Sequence, residues 1–341
     1  MRFKATAATI TFSALAMVLL ILDSKTALSG AADGLDLCMR VVIPSLFPFF
    51  FISTLLSSSL IGRHVPFLCA LGRLCGIPQG AESLLLTGFL GGYPAGAQCV
   101  AQANQVGQLS DTDARRMLGF CSNAGPAFLF GMAGRLFHRT GAVWTLWIIH
   151  ILSALLIGVL LPEKSISQTK ITSSRPVSAS QAMTRAIKAM ASVCGWVVLF
   201  RVILTVAQRW VLWLLPESLR VTVSGVLELS NGVIALFSIS NPGQRFVLCS
   251  VFLAFGGLCV LMQTLSVTGH LGLGSYLSGK LIQSCLSFLL SSFAQLLLFP
   301  ADTRWNIPLW VLAAALCFLL AAGILLRKLK NRGSILHPVV V

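Results

Sequence analysis

The sequence has 341 residues, 56% of them apolar and only 10% charged. A soluble globular chain carries about 25% charged residues, so there are too few here to coat a water-facing surface, and a soluble fold is excluded. The balance is basic, 25 Lys and Arg against 10 Asp and Glu; cytoplasmic loops of a membrane protein produce that excess, and no aromatic-interleaved basic patch points to nucleic acid.

Arg2 and Lys4 precede an apolar run from Ala5 to Leu22. It is long for a signal-peptide core, so an uncleaved first transmembrane helix is expected. Further apolar segments fall at 38–61, 84–101, 116–137, 143–161, 187–214, 219–239, 246–268, 277–299 and 308–326. At about 20 residues per span, the chain can cross a bilayer eight to ten times. A linker at 162–186, rich in Ser, Thr, Gln and Lys, shows no apolar periodicity, and the basic tail Arg327–Arg332 places the C-terminus in the cytoplasm.

Two segments are unlike full spans. LLLTGFLGGYPAGAQCV (Leu84–Val100) holds Gly88, Gly91, Gly92, Pro94 and Gly96; VSGVLELSNGVIALFSI (Val223–Ile239) holds Glu228, Ser230, Asn231 and Gly232. Broken backbone is not tolerated against lipid and must lie within protein or line a cavity. Both segments fit re-entrant hairpins. With both re-entrant, eight spans remain, both termini are cytoplasmic, and inside loops hold 16 Lys and Arg against 8 outside; with both spanning, the counts are 13 and 11. Arg135 and Arg139 stand against the eight-span arrangement.

The halves echo each other. Gly88-Phe89-Leu90 aligns with Gly225-Val226-Leu227, and Leu118-Gly119-Phe120 with Leu253-Ala254-Phe255, at offsets of 137 and 135. In the eight-span arrangement segments 38–61 and 187–214 run in opposite directions, so the repeats are inverted, a plan shared by many secondary transporters. The fold expected is all-α and integral to the membrane, with about eight transmembrane helices, two re-entrant hairpins and broken helices. Residues 1–29 form the N-terminal helix, 30–161 the first repeat, 162–186 a cytoplasmic linker, 187–301 the second repeat, and 302–341 the last helix and tail.

Chemistry is expected at the breaks. In the first half Cys121-Ser122-Asn123-Ala124-Gly125-Pro126 interrupts an apolar run, and Pro126 suits the first turn of a new half-helix. In the second, Gly256-Gly257 marks the corresponding break, with Gln263 beyond it. The hairpin tips would meet these breaks, offering Tyr93, Pro94, Gly96 and Gln98 from one and Glu228, Ser230 and Asn231 from the other. The candidate substrate-binding set is therefore Tyr93, Pro94, Gly96, Gln98, Ser122, Asn123, Gly125, Ser230, Asn231 and Gln263. Glu228, a carboxylate inside an apolar segment, is the candidate ion-coupling residue; the alternative is a hairpin-end residue facing water. Arg201 either pairs with Glu228, attracts an anionic substrate, or snorkels to an interface. His150 and His270 are expected at interfaces. The ten cysteines have no metal-site spacing and are expected to pack. No GxSxG, P-loop or HExxH is present, so neither an enzyme nor a cofactor or metal is expected. Partners are a small-molecule substrate and the lipid bilayer, with homo-oligomerisation left open.

GGYPAGAQ (Gly91–Gln98), GQLSDTDARRML (Gly107–Leu118) and FCSNAGPAFLFG (Phe120–Gly131) resemble the nucleoside-recognition Gate domain, more closely the sporulation integral membrane proteins of the YlbJ (SpoVV) type. ELSNG (Glu228–Gly232) and FGGLCVLMQ (Phe255–Gln263) are similar to that family's second repeat. The resemblance covers roughly residues 30–300. It implies a relation to concentrative nucleoside transporters and a role in spore formation, where the YlbJ type is linked to moving dipicolinic acid. Gln98 departs from it, standing where relatives commonly have Lys. The expected function is secondary transport of a small polar or anionic metabolite, dipicolinic acid or nucleoside-like. The alternative is a non-transporting sporulation assembly or scaffold factor.

Overall fold

The computed structural model describes residues 2–63, 65–160, 171 and 176–300; among these there is no strand. α1 (Arg2–Leu22) is followed by α2 (Ser24–Leu37), which continues through a π turn at Cys38–Val42 into α3 (Ile43–Leu60). Four short helices come next: α4 (Pro66–Leu74), α5 (Ser83–Leu90), α6 (Ala95–Gln105) and α7 (Asp111–Leu118). An unwound stretch leads to α8 (Pro126–Gly131), a 3₁₀ turn at Ala133–Leu136, and α9 (Thr140–Leu160). The second half holds α10 (Ala179–Trp210), α11 (Glu217–Leu227), α12 (Leu229–Ala235), α13 (Pro242–Phe255), α14 (Gly257–Thr268) and α15 (Gly274–Leu298).

Five stretches among the described residues are long and apolar enough to cross a membrane: Ser24–Leu60, Thr140–Leu160, Ala179–Trp210, Pro242–Thr268 and Gly274–Leu298. Large apolar side chains such as Leu22, Phe67, Trp213 and Leu297 lie on the outside, as in a protein whose solvent is lipid. Eight spans were expected. α1 contributes a shorter apolar stretch, Ser13–Leu22. Segment 116–137 is no continuous span, because α7 and α8 have 8 and 6 residues, about 12 and 9 Å of helix. Segment 308–326 and the basic tail lie outside the described residues.

Two boundaries differ from expectation. The helix expected at 38–61 begins at Ser24, because Lys25, Asp33 and Asp36 make its first turns polar and conceal them from an apolar-run reading. The expected linker at 162–186 is helical from Ala179. There the Ser178 hydroxyl accepts from the Gln181 backbone N–H while the Gln181 side chain accepts from the Ser178 N–H, a capping box that satisfies donors at the helix start.

Neither expected re-entrant segment is a single long helix. α5 and α6 fold back on each other at Gly88 and Gly96, where a Cβ on Gly96 would lie 2.8 Å from the Gly88 Cα. α11 and α12 do the same at Gly225 and Gly232, where a Cβ on Gly232 would lie 2.2 Å from the Gly225 Cα. Each hairpin also lies against the break of its own half. A Cβ on Gly88 or Gly96 would meet the Cys121 carbonyl oxygen at 2.2 or 2.0 Å, and one on Gly257 the Gly225 carbonyl at 3.2 Å. The second break is a pair of residues at φ +81 and +83, a conformation side chains rarely adopt, which explains Gly256-Gly257 between α13 and α14. Elsewhere the long helices approach through small residues, as α2 does at Gly30 and Gly34 against Thr205 and Val198 of α10.

Candidate functional site

The hairpin tips and the breaks converge. Tyr93, at the tip of the first hairpin, is buried, and its hydroxyl lies 3.2 Å from the carbonyl oxygens of both Leu253 and Ala254. Those carbonyls end α13 at the second break, so the first hairpin is tied to the second half. Gly92 lies against Gly125 at the first break. Beside this junction is a small, partly open cavity. Tyr93, Ala124, Gly125 and Phe128 line it from the first half, and Glu228, Leu229, Ser230, Val260 and Gln263 from the second. Val42 and Leu46 of the α2–α3 helix and Val193 and Val197 of α10 complete an apolar wall.

Glu228 is 2% exposed, so the water-facing alternative does not hold. It breaks the hairpin in extended conformation and caps α12 with its own side chain. One carboxylate oxygen accepts from the Ser230 backbone N–H at 2.9 Å; the other accepts from the Asn231 backbone N–H and Nδ2, both at 2.7 Å. Three donors on one carboxylate are the partners a buried charge needs. Arg201 does not pair with Glu228. Its guanidinium donates to Asn231 Oδ1 at 2.7 Å and to Asp33 at 3.0 Å, because the α12 N-terminus already occupies the carboxylate. Asn231 thus joins Arg201 to Glu228, and Asp33, half exposed, ends the chain.

The first break is held differently. Its Ala124 N–H donates to Nε2 of His150 at 3.0 Å, and Asn123 Nδ2 donates to the Phe120 carbonyl at 2.8 Å. His150 was expected at an interface; it is 2% exposed, in the middle of α9, because the break leaves a buried N–H that needs an acceptor. From α15, Gln283 Nε2 donates to Asn123 Oδ1 at 3.1 Å, and Lys280 reaches the Ser122 carbonyl and Asn123 Oδ1. Lys280 is 1% exposed and escaped the sequence reading, as did Gln283. The available signal was a polar stripe in an apolar segment: Lys280, Gln283, Ser287, Ser291 and Gln295, spaced three or four apart, all buried. His270 is exposed and bonds Asn104 at 3.0 Å.

Of the residues singled out from sequence, Tyr93, Gly125, Glu228, Ser230 and Gln263 line the cavity. Asn231 sits behind Glu228. Ser122 and Asn123 are fully buried in the Lys280 cluster instead. Gly96 packs on Cys121, Pro94 precedes α6 in a cis peptide, and Gln98 is half-buried on α6 away from the cavity.

The chain is similar to the sporulation integral membrane protein YlbJ of Bacillus subtilis strain 168, with 25% identity over 335 residues, covering 83% of this chain and 80% of that protein. This similarity supports a YlbJ-type family assignment. No family model and no solved structure matches it. Together with the apolar helices, the similarity supports a multi-pass membrane protein.

Proposed function

We propose that the chain is a secondary transporter of a small polar or anionic metabolite, dipicolinic acid or nucleoside-like, acting in sporulation in the bacterial cell membrane. The observation that carries this reading is the cavity lined by both hairpin tips, by the first break and by α14 beyond the second break. Discontinuous helices meeting at a mid-membrane site are the usual substrate-site plan of secondary transporters. Similarity to YlbJ supports the sporulation setting, and the Gate-domain resemblance supports the solute classes. In this reading the halves are inverted repeats of an eight-span protein with both termini cytoplasmic. It does no chemistry on its solute.

The lining suits a flat polar solute. Tyr93, Phe128 and the valines supply apolar contact, while Ser230 and Gln263 supply hydrogen-bonding groups. Glu228 sets the electrostatics, since a carboxylate beside an anionic solute requires a proton or cation between them, which gives it the coupling role. Solute-dependent thermal stabilisation of the purified protein tests the reading, because a ligand bound only to the folded state raises Tm. Dipicolinate or a nucleoside should raise Tm in the wild type and not in a Val197→Trp variant that fills the cavity. No shift with either solute class counts against both named substrates.

A further inference from the structure

Lys280 lies in a cage of oxygens. Its Nζ reaches the Ser122 carbonyl, Gln283 Oε1 at 2.6 Å, Tyr93 Oη at 3.2 Å and Asn123 Oδ1 at 3.3 Å. The rings of Tyr93 and Tyr276 stand with centroids 5.1 and 5.9 Å away, within cation–π range. All four oxygens belong to neutral groups. Three of them are fixed by other bonds: the Tyr93 hydroxyl lies against the Leu253 and Ala254 carbonyls, Asn123 Nδ2 holds the Phe120 carbonyl, and Gln283 Nε2 holds Asn123 Oδ1. Backbone proximity is built in too. Gly279 lets α15 touch the break, since a Cβ there would lie 2.3 Å from the Gly119 carbonyl oxygen.

A carbonyl from unwound backbone, two amide oxygens and a phenol oxygen make the ligand set of a monovalent cation. Such sites replace an ion's hydration shell with protein oxygens, and unwound carbonyls at helix breaks are where transporters hold coupling cations. Lys280 lines no part of the cavity and is enclosed by acceptors, so an anion has no approach to it. We propose that the first break forms a monovalent-cation site filled by the chain's own ammonium group, with Lys280 as a tethered ion that holds the break, the first hairpin tip and α15 together. The site stands on geometry alone. Its consequence for transport, independence from sodium at this break, rests on the transport reading.

The test is cation rescue in the full-length purified protein, read as Tm. Wild type should respond alike to sodium, methylammonium and choline chlorides. Lys280→Ala should melt several degrees lower in choline and regain stability in sodium or methylammonium, saturably with concentration. Adding Asn123→Ala should abolish the rescue. A Lys280→Ala variant that is as stable as wild type, or equally weakened in all three salts, overturns the proposal. If Lys280→Ala is recovered only when sodium or methylammonium is present throughout, the proposal stands. If it is recovered in no salt, Lys280→Met and Lys280→Arg decide. Recovery of Met at the wild-type midpoint shows that no cation is needed and overturns the proposal; recovery of Arg alone supports it; loss of both counts against it, because the cage would then require lysine's shape rather than a cation. These outcomes read stability, so failure of the transport reading leaves them intact.

Discussion

Glu228→Gln separates the capping of α12 from the proposed coupling role of the same side chain. The carboxylate accepts three hydrogen bonds, from the Ser230 N–H, the Asn231 N–H and Asn231 Nδ2. A carboxamide of the same shape keeps one oxygen. Turned to keep the Ser230 bond, its NH₂ faces the two Asn231 donors; turned the other way, it faces the Ser230 N–H. Hydrogen bonds to a charged group are worth about 1.5–3 kcal/mol each, so losing one or two costs about 2–6 kcal/mol. In a chain of this size that lowers Tm by roughly 3–8 °C, measured by intrinsic fluorescence in detergent. A Tm within about 1 °C of wild type would refute the cap described here. Uptake assays address the other duty. If Glu228 binds the coupling ion, solute accumulation by folded Glu228→Gln loses its pH or ion dependence; unchanged dependence counts decisively against coupling.

Gly88→Ala and Gly96→Ala drive a methyl group into the Cys121 carbonyl, a backbone contact that cannot turn aside. Each should cost at least the about 1–3 kcal/mol of overpacking. Gly195→Ala, in an open position of α10, should be neutral or stabilise by up to about 1 kcal/mol, and comparing the three melting curves checks both statements. Tyr93→Phe removes the hydroxyl that ties the first hairpin to α13 and should cost about 1–3 kcal/mol, with faster hydrogen exchange at the 253–257 break as its signature. Arg201→Met should cost about 1 kcal/mol, since the Asp33 arm is half exposed and contributes little; a loss as large as that of Glu228→Gln would show that Arg201 matters to the carboxylate far more than its single bond through Asn231 implies.

What could be read from sequence followed from the cost of broken backbone in lipid. Gly88 to Gly96 and Glu228 to Gly232 violate helix rules inside apolar runs, and at both places two short helices fold back on each other through glycines that allow close packing. Pro126 and Gly256-Gly257 located the breaks for the same reason. What was missed depends on tertiary contact. Lys280, close to the start of its apolar segment, has the local pattern of an interfacial cation; only the spacing of Gln283, Ser287 and Ser291 along one face of α15 indicates that it points inward. His150 stands well inside its segment, yet its purpose is visible only once the unwound Ala124 N–H faces it. The Ser178–Gln181 capping box was present in the sequence, hidden in a stretch read as linker. Asn123 flanks a break, which in sequence points it at solute, whereas the structure turns it toward Gln283 and Lys280 of α15.

In the proposed transport route, solute crosses through the cavity between the hairpin tips. Uptake of labelled dipicolinate and of labelled nucleoside into proteoliposomes, comparing wild type with Val197→Trp, tests it most directly. The wild type should accumulate one of the two solutes above protein-free vesicles, and the Trp variant, folded by its melting curve, should not. No uptake of either solute by folded wild-type protein, or equal uptake by the blocked variant, would contradict it.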